Sequence, residues 1–222
     1  MGERPILMSA PMVRAILDGT KTQTRRAIRK QFAADAEPAE VAATSPEGWQ
    51  ISGHSGLWWD DAGACIDDAI RCPFGQPGDR LWVRETCRAE ELPDWTDGVR
   101  YLADDGFVPI ENTEEAAEQW VKLGSYGMKF SGSPECRVVP SIHMPRWASR
   151  LLLEITGVRV ERLQDISEAD ARAEGCQLVQ AGGTVIDRAS DQYAALWETI
   201  NGPGSWDANP WVWVVEFKRV TP

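Results

Sequence analysis

Length, composition and charge set the first bounds on this chain of 222 residues. Hydrophobic residues make up 43% of it, enough for a buried core, and no run of about 18 apolar residues could span a membrane. The net charge of −11 argues against a tight, non-specific grip on a long polyanion, because such binding depends on neutralising phosphates. The start of the chain lacks the apolar stretch of a signal peptide, so we expect a cytoplasmic protein with no membrane contact.

The five cysteines are expected to be reduced thiols, because their number is odd and the chain shows no export signal. No two of them have the C-x-x-C spacing. A zinc site is the alternative, and it would have to draw on scattered residues: His54, Cys65, Cys72 and His143. We expect no metal and no cofactor, and the sequence leaves the oligomeric state open.

The charge is spread unevenly along the chain. Residues 1–30 hold seven basic and two acidic side chains, whereas residues 31–70 hold eight acidic ones and neither Lys nor Arg. A short basic segment in an acidic protein suits a local contact with an anion or nucleotide better than a long nucleic-acid track. A solvated helix end is the plainer interpretation of any single arginine.

The first predicted element is a helix that begins after Ser9 and ends at Gly19, with Met12, Ala15 and Ile16 on one face. Residues 20–26 alternate as a strand or an extended loop does. Residues 33–70 are acidic and rich in small side chains, which indicates an insertion.

A turn at 76–79 and a strand over 80–86 come next, followed by a short strand near Tyr101. We place a second insertion at 88–140. Residues 104–135 within it are predicted to be loop-like, with a helix over 114–123.

The last third carries the clearest patterns. A strand over 150–163 is predicted to break at Gly157, and Ser167 to Asp170 form a capping box that opens a helix ending at Gly175. Asp187 or Ser190 should cap a further helix, whose predicted buried face comprises Tyr193, Leu196, Trp197 and Ile200. A closing strand over 211–217 reads as buried on both sides. These elements predict a single α+β domain over 1–222, a small, partly closed mixed β-barrel flanked by short helices.

Four segments, in order, resemble the ASCH domain family of the PUA-like superfamily. Gly19 to Arg26 is similar to its G-x-K-T-x-T-x-R opening, and Pro77 to Val83 to its G-D-x-L-x-V element. Residues 166–175 are similar to its L-T/S-x-x-x-A-x-x-E-G helix, and 213–217 to its closing strand. The sequence of residues 141–150 resembles that of phage and prophage members. The resemblance implies a PUA-like barrel and an association with RNA or modified bases.

Some small bacterial ASCH proteins are amidohydrolases that remove the acyl group from N4-acetylcytidine through a Lys, a Thr and a Glu. Carried over by motif, the resemblance implies that these are Lys21, Thr24 and Glu174. Amide hydrolysis needs a nucleophile, a proton shuttle and a stabilised oxyanion. Thr24 would attack or position a water, Lys21 would act as base if its pKa is lowered, and Glu174 would shuttle the proton. A tight ion pair with Glu174 would instead raise the pKa of Lys21.

We expect the substrate to be a small nucleoside, with RNA as the second partner considered. Substrate contacts are assigned to Arg25, Arg26, Trp82, Arg84, His143, Arg146 and Trp147. The two tryptophans could stack on a base or belong to the core, and His143 and Arg146 could contact substrate or anchor a loop. A non-catalytic module that binds RNA or a modified base and an ASCH-type ribonuclease are the alternative functions.

Overall fold

The computed structural model describes residues 2–29, 31, 36–39, 50–53, 72–131, 137–177, 179–181 and 184–220. Helices and strands are mixed, so the fold class is α+β, as the sequence predicts. The strands are β1 Glu3–Leu7, β2 Gln23–Ala27, β3 Ala36–Ala39, β4 Gln50–Gly53, β5 Arg80–Arg84, β6 Cys87–Glu91, β7 Asp97–Tyr101, β8 Phe107–Pro109, β9 Met128–Lys129, β10 Leu152–Arg162, β11 Val179–Ala181, β12 Thr184–Asp187 and β13 Trp211–Val220. The helices are α1 Ala10–Leu17, α2 Glu114–Gly124, α3 Glu168–Ala173 and α4 Ala189–Asn201.

None of the helices in these described ranges has both the length and the apolar character that a membrane crossing needs. The chain forms two compact units. The first unit comprises 1–20, 80–154 and 219–222, and the second comprises 21–79 and 155–218. The prediction of one domain over 1–222 stays a prediction.

The prediction of a partly closed barrel is wrong for the described residues. Their largest sheet is open, with the strand order β1-β5-β10-β13-β2. In the first unit β1 runs parallel to β5, which pairs with the first residues of β10, and in the second unit β2 runs antiparallel to β13. The sequence identified β5, β10 and β13 as strands and left β2 as a strand or an extended loop, but it missed β1 and carried no information on the order in which the strands pair.

Most of the segment predicted as an insertion at 88–140 belongs to a second sheet of the first unit. Four strands pair in the order β8-β7-β6-β9, and α2 packs against them with Trp120 and Leu123 buried. The loop-like prediction for 104–135 was therefore wrong at β8 and β9, whose two or three residues are too few to show a period. The helix within it was correct. Of the insertion predicted at 33–70, only β3 and β4 are described, and they pair with each other.

Two predicted helices are confirmed together with their ends. Ser9 precedes α1 and Gly19 follows it at φ +75, although Val13 rather than Ala15 joins Met12 and Ile16 in the core. The Ser167–Asp170 capping box opens α3, and Gly175 follows its last turn at φ +95. Glycine is favoured at such positions because it has no Cβ to strain a positive φ.

The helix α4 is confirmed, but it does not begin as predicted. Arg188, not Asp187 or Ser190, is its N-cap residue, and it makes no side-chain capping bond. The carboxylate of Glu168 in α3 instead accepts from the backbone N–H groups of Ala189 and Ser190, both at 3.2 Å. The buried face of α4 holds Tyr193 and Trp197, whereas Ile200 is 52% exposed and was wrongly assigned to the core.

The strand β10 runs through Gly157 without the predicted break. A Cβ at this position would come within 2.7 Å of Oε2 of Glu216 in β13, so the glycine leaves room for a neighbouring side chain. The closing strand β13 is confirmed, with five consecutive buried residues at its start. Its Val212 and Val214 pack with Tyr193, Trp197 and Leu163 in the core of the second unit.

Candidate active site

The site of interest lies where one face of β2 meets α3 in the second unit. Lys21, Gln23 and Arg25 alternate along the chain, and all three side chains reach α3 or the residue that ends it. This alternation follows from the period of two in extended backbone. The backbone fixes the approach, because Lys21 forms a β-bridge with Glu174 and the N–H of Thr22 donates to the carbonyl of Ala173 at 2.8 Å.

Lys21 and Glu174 form a buried ion pair. The Nζ of Lys21 donates to Oε2 of Glu174 at 2.7 Å and to the backbone carbonyl of the same residue at 2.9 Å. Lys21 is 2% and Glu174 4% exposed. Since Glu174 is the C-cap residue of α3, the ammonium also satisfies a carbonyl at a helix end. The two residues, 153 positions apart, are brought together as the family resemblance implied.

Burial lowers the pKa of Lys21 below its ordinary value. The charge and the hydrogen bond of Glu174 pull that pKa upward, and the nearby positive charge of Arg26 lowers it further. The net direction is downward, because removing an ammonium from water disfavours its charged form. The direction is the one that a general base needs, despite the ion pair.

Thr24 is 1% exposed, and its hydroxyl makes no hydrogen bond with any described residue. Because side chains alternate along extended backbone, that of Thr24 lies on the face of β2 opposite Lys21, Gln23 and Arg25. The structure therefore brings Lys21 to Glu174, but Thr24 does not join them as the resemblance implied. A buried hydroxyl without a partner is costly, which makes Thr24 a candidate for a role other than stability.

Arg25 was assigned to substrate binding, but the structure places its side chain at 0% exposure inside an ion network. Its Nη2 lies 2.9 Å from Glu161 and 3.6 Å from Asp170, and its Nη1 lies 3.5 Å from Oε1 of Glu174. Arg159 continues the network by contacting the carboxylates of Glu161, Asp170 and Glu216. Arg25 therefore holds protein carboxylates.

Arg26 is in register with Trp213 and is partly exposed, unlike Arg25. Burial lowers its pKa, with the charges of Glu174 and Tyr193 acting in the opposite direction. Of the two arginines, only Arg25 is fully buried as a residue. It stays a predicted substrate contact.

The five other predicted substrate contacts belong to the first unit. The guanidinium of Arg84 lies 5.1 Å from the ring centroid of Trp82, and its Nε donates to the carbonyl of Met144 at 3.0 Å. Trp82 is half-buried. This cation–π pair occupies one face of the indole.

His143, Arg146 and Trp147 lie in two short 3-10 turns of the first unit. His143 stacks on Tyr126 with 5.0 Å between ring centroids, and Arg146 donates to Glu3 at 2.8 Å. The ion pair with Glu3 favours the anchoring interpretation of Arg146. Trp147 is 37% exposed, so it does not belong to the core, and it lines a cavity of about 420 Å³ with Tyr101.

Sequence reasoning missed Gln23, Arg159, Glu161 and Asp170 as members of the β2–α3 contact. One signal was available, since Arg159 and Glu161 alternate with buried valines in β10. Asp170 was noted only for its part in the capping box. It serves two functions, because its carboxylate caps α3 and also faces Arg25 and Arg159.

Within the described part of the chain, no group of three or more His, Cys, Asp or Glu side chains is placed to hold a metal ion. Two of the alternative zinc ligands, His54 and Cys65, lie outside the described residues. No protein-family model, curated protein or solved structure matches this chain. The candidate site therefore stands on its own geometry and on the motif resemblance.

Proposed function

We propose that this protein hydrolyses the acyl amide of N4-acylated cytosine nucleosides, with N4-acetylcytidine as the reference substrate. The buried Lys21–Glu174 pair carries the proposal, since it joins an amine with a lowered pKa to a carboxylate at 2.7 Å. Groups with perturbed pKa values and a specific charged partner are favoured candidates for acid–base chemistry. The motif resemblance to ASCH amidohydrolases supplies the substrate class.

In the proposed reaction neutral Lys21 accepts a proton from an attacking water molecule. Thr24 takes the place of this water in the alternative route, which requires its side chain to turn from the opposite face of β2 toward Lys21. The oxygen bonds to the acyl carbon, and the C–N4 bond then breaks. Glu174 relays the proton to N4, which leaves as the amino group of cytidine. If Thr24 attacks, one water molecule then hydrolyses the acyl-enzyme ester, so that both routes consume one water and give cytidine and a carboxylic acid.

The low exposure of Lys21 and Glu174 sets a condition on this mechanism. A substrate reaches the pair only after neighbouring side chains move. The competing interpretation is structural, because Lys21 also satisfies the end of α3. Activity measurements on folded variants separate the two.

The first experiment measures cytidine released from N4-acetylcytidine and from an RNA oligonucleotide carrying the same base. Because the chain is strongly acidic, we expect turnover of the free nucleoside that changes little between low and high salt. Release from neither substrate would end the hydrolase proposal. Salt-sensitive binding of the RNA without turnover would favour a recognition module, and cleavage of the RNA strand would favour a ribonuclease.

The second experiment tests Thr24. If its hydroxyl is the nucleophile, Thr24→Ala should lose activity by about 100-fold or more, while Thr24→Ser should retain a measurable part. Thr156→Ala, at an exposed position of β10, is the matched control and should behave as the wild type. Full activity in Thr24→Ala would leave water as the only attacking group.

A further inference from the structure

Arg25 and Lys21 compete for one carboxylate. Lys21 holds Oε2 of Glu174 at 2.7 Å, while Nη1 of Arg25 lies 3.5 Å from Oε1. The side chains of Lys21 and Arg25 have 0% exposure and the side chain of Glu174 has 2%, so water screens these charges weakly. The negative charge that stabilises the ammonium of Lys21 is therefore shared with a second cation.

The position of Arg25 is fixed by other carboxylates as well. Its Nη2 lies 2.9 Å from Glu161 and 3.6 Å from Asp170, and both acids also contact Arg159. A planar guanidinium can bridge several carboxylates at once, which a lysine ammonium cannot do with the same geometry. Arg25 therefore presents a fixed positive charge to the far oxygen of Glu174.

We propose that Arg25 is a positioning residue, which orients Glu174 and, by drawing on its charge, makes Lys21 give up its proton more readily. The inference rests on the proposed function for its catalytic meaning, but the coupling of the three side chains can be measured without any substrate. It also explains why a buried arginine with no solvent access stands beside the motif lysine.

Several other charged or titratable groups face Lys21 and Glu174 from the elements around them. Arg26 comes from β2, Cys176 follows α3, and Tyr193 comes from α4. The second layer, around Arg25, consists of Asp170 in α3, Glu161 and Arg159 in β10, and Glu216 in β13. Arg25 reaches Glu174 most directly from this second layer, through its Nη1 at 3.5 Å.

The test follows the titration of Lys21 by NMR in protein labelled at its lysine side chains. The chain has only five lysines, and the signal of Lys21 is assigned by its loss in Lys21→Met. In Arg25→Met we expect the pKa of Lys21 to rise by about 1 unit or more, because Glu174 then shares its negative charge with one cation fewer. Arg25→Lys keeps the positive charge but not the planar guanidinium, so the pKa of Lys21 should rise by less.

Arg159→Met is the matched control. It removes one arginine from the same network, but Arg159 contacts Glu161, Asp170 and Glu216 rather than Glu174. The pKa of Lys21 should therefore stay near the wild-type value. An unchanged Lys21 titration in both Arg25 variants, or an equal rise in Arg159→Met, would overturn the proposal. If Arg25→Met does not fold, Arg25→Lys decides the matter by itself.

A second readout links the coupling to catalysis. The rising limb of kcat/KM against pH should move to higher pH in the Arg25 variants, by the same amount as the Lys21 titration. A uniform loss of kcat with an unshifted profile would mean that Arg25 is only structural. A shifted Lys21 titration in a protein that turns over no N4-acylcytosine would reject the hydrolase and leave the coupling intact.

Discussion

The buried hydroxyl of Thr24 has a thermodynamic consequence that is independent of any substrate. It makes no hydrogen bond with the described residues, and such a group costs about 1–3 kcal/mol when it is desolvated. Thr24→Val keeps the shape and removes the hydroxyl. We expect the free energy of unfolding in urea to stay equal or to rise by about 1 kcal/mol, while hydrolysis is lost if Thr24 is the nucleophile.

The exposed Thr156→Val is the control and should change stability by less than about 0.5 kcal/mol. A clear destabilisation of Thr24→Val would show that the hydroxyl has a partner in the folded protein. That outcome would assign Thr24 to the structure of β2 rather than to chemistry.

The described cysteines offer a second test at the scale of single residues. Cys72, Cys87 and Cys176 are buried and form no disulfide among the described residues. Burial, together with the nearby charge of Glu85, raises the pKa of Cys87 to about 12. At pH 8 it is a thiol and not a thiolate, so iodoacetamide should leave it unmodified in the native protein.

Peptide mapping by mass spectrometry identifies the alkylated positions. Cys87 should be labelled only after unfolding in urea. Rapid labelling of Cys87 in the native state would mean that the core formed by β6, β7 and α2 opens readily.

Residue patterns gave the helices of this protein more reliably than its contacts. The capping box at Ser167 and the glycines after α1 and α3 are local signals, and local signals are visible in a sequence. The start of α4 was missed because its cap comes from Glu168 in another helix. The charged network around Arg25 was missed because the face on which a strand residue lies depends on where the strand begins.

The two serines that precede helices form a matched pair at the scale of elements. Ser167 accepts from the N–H of Asp170 at 3.1 Å, whereas Ser9 makes no side-chain capping bond. Ser167→Ala should lower the free energy of unfolding by about 1 kcal/mol, and Ser9→Ala should change it by a few tenths at most. Equal losses in the two variants would contradict the capping geometry, and urea denaturation measures both.

At the scale of the whole molecule, paired carboxylates make stability depend on pH. The hydrogen bond from Arg150 lowers the pKa of Asp104 below 3.8, and for Glu90 bonds from Arg100 and Arg88 outweigh burial and lower its pKa below 4.5. A lowered carboxyl pKa gives stability that is present above the unfolded value and lost as pH falls through the folded one. The free energy of unfolding should therefore drop as pH falls below about 4.5.

Glu85 acts in the opposite direction, since burial raises its pKa and outweighs Arg150. The contribution of Glu85 to the free energy of unfolding decreases as pH rises above 4.5, the ordinary pKa of a glutamate.

Urea denaturation of Asp104→Asn and Asp105→Asn across this pH range tests whether Asp104 stabilises the folded protein through its lowered pKa. Asp104→Asn should reduce the loss of stability at low pH more than Asp105→Asn does. The reason is that the side chain of Asp105 is 84% exposed and lies 3.9 Å from Arg100. Equal curves for the two variants would contradict it.

The sequence thus predicted an α+β chain and a catalytic set of Lys21, Thr24 and Glu174, of which Lys21 and Glu174 meet, but it did not predict that Thr24 lies on the other face of β2 or that the sheet is open. The convergence came from motifs that resemble a family, since no spacing rule joins residues 153 positions apart. The open sheet could not be predicted, because the parallel pairing of β1 with β5 depends on contacts between distant segments. The same holds for the four-stranded sheet, whose strands are short.

The central claim is that Lys21 acts on the acyl amide, and kcat/KM for N4-acetylcytidine in Lys21→Met and Lys129→Met tests it most directly. Unpairing Glu174 destabilises the fold by up to about 3–5 kcal/mol, so both variants are assayed at a temperature where circular dichroism shows them folded. We expect kcat/KM of folded Lys21→Met to fall by about 100-fold or more. Lys129→Met should match the wild type, because the ammonium of Lys129 lies 4.0 Å from its carboxylate partner, Glu90. A folded Lys21→Met enzyme as active as the wild type would contradict the claim.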